Sequence, residues 1–168
     1  GHGNTESWWL GDDNWYYDTD AYSLTNGNQL PVIFTMACWT SRFYDTDSIG
    51  EYFLLNPNGG AIAYFGASRV AWGYIGQYIT VGLAGKMDLL FNTNYFELYE
   101  SGTPYIGAVW AESITDYVLE CSIDNAWDWK TVAEYGTMFG DPSTIVIGEG
   151  AGPTPPPEPI LYGYVTSL

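Results

Sequence analysis

Hydrophobic positions along the chain fall into short blocks separated by polar stretches rich in glycine and asparagine. The block from Val32 to Cys38 is apolar except at Thr35 and is opened by Pro31. Its length and its lack of alternation predict a strand over residues 32–37, covered on both faces as in a parallel sheet. Residues 39–48 are polar. Ser48 then precedes the apolar run Ile49–Leu55, with Glu51 three positions on, which is capping-box spacing at the start of a helix. Asn56-Pro57-Asn58-Gly59-Gly60 stops that helix, and Ala61–Phe65 reads as a second buried strand. Strand, helix and strand in this order predict a βαβ unit with parallel pairing and a right-handed crossover.

Farther along, Leu83, Met87, Leu90, Phe91 and Tyr95 recur at steps of three and four, predicting a helix over residues 77–100 interrupted near Gly82–Gly85. Ser101-Gly102-Thr103-Pro104 ends it. Pro104 suits the first position of a further helix, whose inner side holds Ile106, Val109, Trp110, Ile114, Tyr117 and Val118. Residues 125–135 are less regular. Gly140-Asp141-Pro142-Ser143 is a turn before Thr144–Ile147, a predicted third strand. Residues 1–30 read as loops, with a short helix at 21–24 introduced by an acid in Asp18-Thr19-Asp20. The chain divides into a domain over residues 1–147, a Pro/Gly-rich semi-rigid linker at 148–159, and residues 160–168, the start of a following β-rich segment.

Composition narrows the picture. The chain has 168 residues, enough for one sizeable core, and 46% of them are hydrophobic, which excludes a disordered chain. Only four bases stand against 20 acids, a net charge of −16, so the chain repels nucleic acid and anionic membranes. Cationic peptides or Ca2+ are the partners such a charge attracts. No apolar run is long enough to cross a membrane. Eight Trp and 15 Tyr suit an extracellular surface. Sugar stacking on Trp8, Trp9, Trp15 and Tyr16 is a weaker reading, because such modules are usually all-β.

Candidate chemistry rests on two residues. Cys38 ends the first buried strand, at the edge where open α/β sheets place their ligands. His2, in Gly1-His2-Gly3, is the only histidine. An imidazole beside a thiol lowers its pKa, orients the sulfur and protonates a leaving amine. Read singly, Cys38 is an inert buried thiol and His2 a tag remnant; Cys38 and Cys121 form one bridge or none. Asp12, Asp13, Asp18 and Asp20 are either Ca2+ ligands or a solvated acidic loop.

Several segments agree with one family in order and spacing: Gly1-His2-Gly3-Asn4 with Trp8 soon after, Leu30-Pro31 leading into Ala37-Cys38, residues 51–68, Ile106–Ala111, and Phe139–Ser143. On these the chain resembles the gingipain-like cysteine peptidases, peptidase family C25, within the caspase-like clan. The resemblance implies an α/β fold, a caspase-like three-layer sandwich with a mostly parallel sheet. It also implies that the N-terminal part of that domain, including the strand delivering His2, is missing from this sequence; on burial grounds residues 1–168 are then expected to fold poorly alone. On this footing Cys38 is the nucleophile, His2 the acid–base, and the Gly3 and Cys38 N–H groups the oxyanion donors. Gly1, Met36, Ser68 and Trp72 line the substrate pocket, although Met36 and Trp72 also fit a core.

Relatives of known preference cleave after Arg or Lys using an acid in that pocket; the resemblance allows that acid a place upstream of Gly1 and so leaves the residue preferred before the scissile bond open. The implied activity is a secreted or cell-surface cysteine endopeptidase that needs no cofactor, with structural Ca2+ as an option. Its implied partners are protein or peptide substrates, the remainder of its own longer chain and other subunits. The departure at Ser41-Arg42, where relatives carry a small residue, keeps open an inactive homologue with a structural or assembly role.

Overall fold

A computed structural model describes residues 1–102, 105–121 and 125–145. Its centre is a mixed sheet of three short strands, β4 (Val32–Phe34), β5 (Ala63–Phe65) and β6 (Met138–Gly140), in that spatial order. β4 and β5 run parallel and β5 and β6 antiparallel. The predicted βαβ unit is present: α2 (Ile49–Leu55) joins β4 to β5. The Glu51 carboxylate accepts the Ser48 N–H and O–H at 2.7 and 2.8 Å, closing the start of α2 as the capping spacing predicts.

Strand alternation builds the layers. Ile33, Tyr64 and Phe139 face one side, where they pack with Ala21, Ile49 and Phe53 of α1 (Asp18–Tyr22) and α2. Val32, Phe34, Ala63, Phe65 and Met138 face the other, against Phe91, Ile106 and Val109 of α3 (Leu83–Glu100) and α4 (Ile106–Glu120). Below them α5 (Ala126–Glu134) joins α3 and α4. This is the expected three-layer α/β sandwich.

The amino-terminal region differs from its reading as loops. His2–Gly3 (β1), Ser7–Gly11 (β2) and Asn14–Tyr17 (β3) form a separate antiparallel sheet, so His2 lies on a strand of its own. Pairing of aromatics supplies what an aliphatic pattern did not: Trp8 stacks on Tyr16, Phe53 and Tyr64, with ring centroids 5.2–6.2 Å apart. The short helix comes three residues early, over Asp18–Tyr22, because the Asp20 carboxylate accepts the Tyr17 N–H at 2.8 Å from inside the first turn.

The third strand of the central sheet among the described residues is Met138–Gly140. Thr144–Ile147 was expected, but Ile145 makes only an isolated bridge with Tyr105, and residues 146–147 lie outside the described residues. Met138–Gly140 takes its place because Gly140 can lie against β5; a Cβ there would sit 2.7 Å from Ile62 O. The predicted break in the 77–100 helix falls before Leu83, where a 3-10 turn at Gly76–Tyr78 precedes α3. Pro104, the linker at 148–159 and residues 160–168 lie outside the described residues.

Candidate active site

Beyond Phe34 the chain leaves the sheet and turns. Thr35 N–H still donates to Phe65 O at 2.9 Å, and Ala37 N–H then donates to the Thr35 hydroxyl at 3.1 Å. Cys38 follows, half-buried, with its thiol 3.6 Å from Ala71 O. Trp39 takes a left-handed backbone, φ 59°. That conformation costs a non-glycine residue about 1–2 kcal/mol and is kept because its surroundings fix it. Trp39 N–H donates to Arg69 O at 2.8 Å and Ser41 N–H to Ala67 O at 3.1 Å. Thr40 and Ser41 are fully buried, and the Ser41 hydroxyl oxygen has no partner among the described residues. Gly66 allows the approach: a Cβ on it would meet Thr40 Oγ1 at 2.5 Å and Ser41 Oγ at 2.8 Å. The thiol thus lies at the carboxyl end of β4, on a turn locked to the loop that leaves β5. The Cys38 backbone N–H has no protein acceptor among the described residues.

β1 is set against this turn. A Cβ on Gly3 would fall 2.8 Å from Ala37 Cβ and 3.1 Å from Thr40 Cγ2, so only glycine fits. The arm is held from three sides. Ile49 N–H donates to Thr5 O at 2.7 Å, Asp18 N–H to Glu6 O at 2.7 Å, and Trp8 Nε1–H to the Tyr64 hydroxyl at 3.1 Å. Asn4 N–H pairs with Ser7 O at 2.9 Å, so by the alternation of an antiparallel ladder the Gly3 N–H points away from β2. The same alternation turns His2 to the opposite, exposed face, where its ring lies 5.5 Å from that of Trp9. His2 and Cys38 are brought onto neighbouring segments and are not bonded to each other.

The remaining predicted positions divide. Ser68 is on the loop after β5, where its N–H and hydroxyl donate to Glu134 O at 3.0 and 3.2 Å. Trp72 is 43% exposed and meets the Trp127 ring edge-on at 4.6 Å, so it stands at the rim. Met36 packs onto the core cluster around Met87 and Leu90, which is the core alternative considered for it. Gly1 is exposed with open space around it. Asp12 and Asp13 form the β2–β3 turn, both with positive φ, and Asp18 and Asp20 start α1. Among the described residues no three His, Cys, Asp or Glu side chains are arranged to hold a metal ion. Cys38 and Cys121 are both free thiols. Burial and nearby Asp128 push the Cys121 thiol upward, away from nucleophilic character.

Sequence reading missed the support beneath the thiol. Tyr135 follows α5, stacks on Phe34 at 5.5 Å and donates from its hydroxyl to Thr35 O at 3.3 Å. Trp110 Nε1–H donates to Tyr135 O at 3.1 Å. Glu134 is 5% exposed, with Oε2 lacking any partner among the described residues. Burial raises its carboxyl to about 7, with Lys130 and Arg69 drawing it back. Its only sequence signal is its position at the end of an apolar and aromatic helix, which is not distinctive.

The chain matches the model of peptidase family C25 over residues 1–147. Its structure is similar to that of the Arg-specific cysteine proteinase gingipain R, at TM-score 0.66 and 22% identity, covering 87% of this chain and 32% of that one. The same figures hold for the complex of Porphyromonas gingivalis RgpB pro- and mature domains. A structure described as a protease is similar at TM-score 0.56 and 18% identity, with 86% and 34% covered. This chain therefore spans about a third of the length of the solved structures it matches. No curated protein sequence matches it.

Proposed function

Because the chain belongs to peptidase family C25, we propose that it carries the thiol side of a cysteine endopeptidase site, with Cys38 as nucleophile and His2 as acid–base. The observation that supports this most directly is the contact of Gly3 with Ala37, which sets the His2 strand against the Cys38 turn. For this the His2 side chain must leave its exposed face beside Trp9 and turn toward the thiol; the Cys38 thiol then gives its proton to the imidazole, and the sulfur attacks the scissile carbonyl carbon. The oxyanion takes the Gly3 and Cys38 N–H groups. Collapse breaks the C–N bond, His2 protonates the leaving amine, and an acyl-enzyme remains. Water, deprotonated by His2, then releases the acid and restores the thiol. Ser68 and Trp72 flank the substrate at the rim. No helix among the described residues is long and apolar enough to span a membrane, and an acidic, aromatic-rich chain suits work outside the cell or on its surface.

A second reading has its own observation. His2 faces solvent beside Trp9, on the face opposite Gly3. A homologue with this geometry fixed would serve as a binding or assembly subunit. Substitution of Cys38 by Ala in the full-length protein separates the two. The peptidase reading expects loss of both peptide hydrolysis and labelling by a thiol-directed probe; hydrolysis retained by Cys38→Ala sinks it.

A further inference from the structure

Between Arg69 and Lys86 the chain carries no Asp, Glu, Lys, Arg or His, although its net charge is −16. Residues 72–81 of this stretch are exposed in an unbroken run. Tyr74, Ile75, Tyr78, Ile79 and Val81 among them are large and apolar, with Ile75 86% and Val81 63% exposed. A single exposed hydrophobic side chain is ordinary on a protein surface, whereas a succession of them on one loop marks an interaction site.

The loop is held at its neck. Ala84 N–H donates to Trp72 O at 3.0 Å, and Gly73 bridges to Leu83. Leu83 N–H donates in turn to the hydroxyl of the buried Tyr117 at 2.8 Å, which ties the neck to α4. Within the loop, Val81 N–H donates to Tyr78 O at 3.0 Å. The Tyr74 ring lies over Gly82, where a Cβ would meet it at 3.1 Å, and a Cβ on Gly85 would collide with Ile79 O. The backbone is therefore fixed while the apolar side chains stay open to solvent.

The loop also starts at the thiol. Ala71 O lies 3.6 Å from the Cys38 sulfur, and Trp72 follows at the rim. Ile75 is four residues beyond Ala71, so at about 3.5 Å per residue it lies within roughly 20 Å of the sulfur. About six residues of extended peptide cover the same span.

We propose that residues 74–81 form a docking surface for an apolar segment of the polypeptide substrate within about six residues of its scissile bond, with Ile75, Tyr78 and Val81 as contact residues. Continuity with the thiol through Ala71 and Trp72 argues for the substrate as occupant. The lack of charged side chains on the loop argues for an apolar segment over a basic or acidic one. The inference deepens the peptidase reading and rests on it for turnover, whereas docking can be measured without turnover.

The test uses the full-length protein and a set of fluorogenic peptides varied before the scissile bond. The best-cleaved member is extended, on each side in turn, by Leu-Val-Phe or by Ser-Gly-Asn placed about five residues from that bond. On one side the apolar extension is expected to lower KM about tenfold relative to the polar one, with kcat little changed, as for binding shared by ground and transition states. Roughly 60 Å² of apolar surface removed from water supplies that factor. Ile75→Ser combined with Val81→Ser should abolish the difference, while Leu119→Ser, also exposed but on α4, should keep it. Labelled extended peptides of the set, titrated onto the Cys38→Ala protein and read by fluorescence anisotropy, should show the same order and hold it as salt is added. Equal values for the two extensions on both sides, or a difference that the double substitution leaves in place in both assays, overturns the inference and leaves the peptidase reading standing. A dimer in sedimentation, or binding to neutral phosphatidylcholine vesicles, that the double substitution removes while no peptide preference is found gives the loop another occupant and overturns it equally. Ordered binding without cleavage supports the docking surface and removes the peptidase reading.

Discussion

A Cβ on Gly3 would lie 2.8 Å from Ala37 Cβ, closer than two methyl carbons can approach. This contact fixes where the His2 strand meets the Cys38 turn. Gly3→Ala must therefore push β1 outward, because Ser7 O at 3.0 Å and Thr40 Cγ2 at 3.1 Å close the other directions. The expected cost is about 1–3 kcal/mol in urea unfolding, as for an overpacked core. Peptide hydrolysis should fall with it. Ala37→Gly in the same chain should recover part of the stability, and a double variant no better than Gly3→Ala alone would show that the contact is not what matters.

Tyr117 is fully buried and joins three helices. Its hydroxyl accepts the Leu83 N–H at 2.8 Å and donates to Asp128 Oδ1 at 2.6 Å. Leu83 itself has a positive φ of 57°, so this bond holds a conformation that leucine disfavours. Tyr117→Phe leaves a buried amide and a buried carboxylate each short of a partner. A loss of about 2–4 kcal/mol is expected by denaturant unfolding; a loss below half a kilocalorie would mean that water or Asn125 replaces the phenol.

Glu134 makes stability depend on pH. Its folded-state value of about 7 lies above the ordinary 4.5. The protonated form is the one the fold favours, so the contribution is complete below about pH 4.5 and is lost as pH rises through 7. Between pH 5 and pH 8 the unfolding free energy should fall by on the order of 1–3 kcal/mol from this group. Glu134→Gln should be more stable than the parent at pH 8 and flatten that slope. Parallel pH profiles for the two proteins would remove Glu134 as the source.

The Glu51 carboxylate closes α2 on the fully buried Ser48. Glu51→Ala should cost about 1–2 kcal/mol, and Glu51→Gln much less, because an amide oxygen still accepts. Thermal unfolding followed by circular dichroism compares the two, and equal losses would contradict the cap.

The βαβ unit could be read from sequence because each part carries a local signal. Val32–Phe34 and Ala63–Phe65 are short apolar runs, and Ser48 with Glu51 marks the helix start between them. The hairpin over residues 7–17 could not be read this way. Its strands carry their aromatics consecutively, Trp8-Trp9 and Trp15-Tyr16-Tyr17, with no alternation of apolar and polar positions, and Asp12-Asp13 turn with positive φ where an Asn-Gly pair would have announced a turn. The third strand the described residues show is Met138–Gly140, whose terminal glycine fits against Ala63 and which carries little β-branched signal of its own.

Of the candidate site, the sequence made placement legible: Cys38 lies beyond the end of a buried strand, and Ser68 and Trp72 lie on the loop after the next one, while their roles rest on the family resemblance. The Gly3–Ala37 approach, the burial of the Glu134 carboxyl and the contact of Arg69 with the Tyr44 ring join positions remote in the chain, and no spacing rule encodes them.

The bond from Trp8 Nε1–H to the Tyr64 hydroxyl links the amino-terminal sheet to the middle strand of the core. Tyr64 is fully buried, and Trp8, Tyr16 and Phe53 stack in one group with it. The arm bearing His2 is therefore not a flap with an opening equilibrium of its own. To free it, the aromatic group must come apart, which exposes the face of the sheet covered by α2. Amide hydrogens across β1 and β2 should accordingly exchange through the same rare opening as those of β5, with one shared dependence on denaturant.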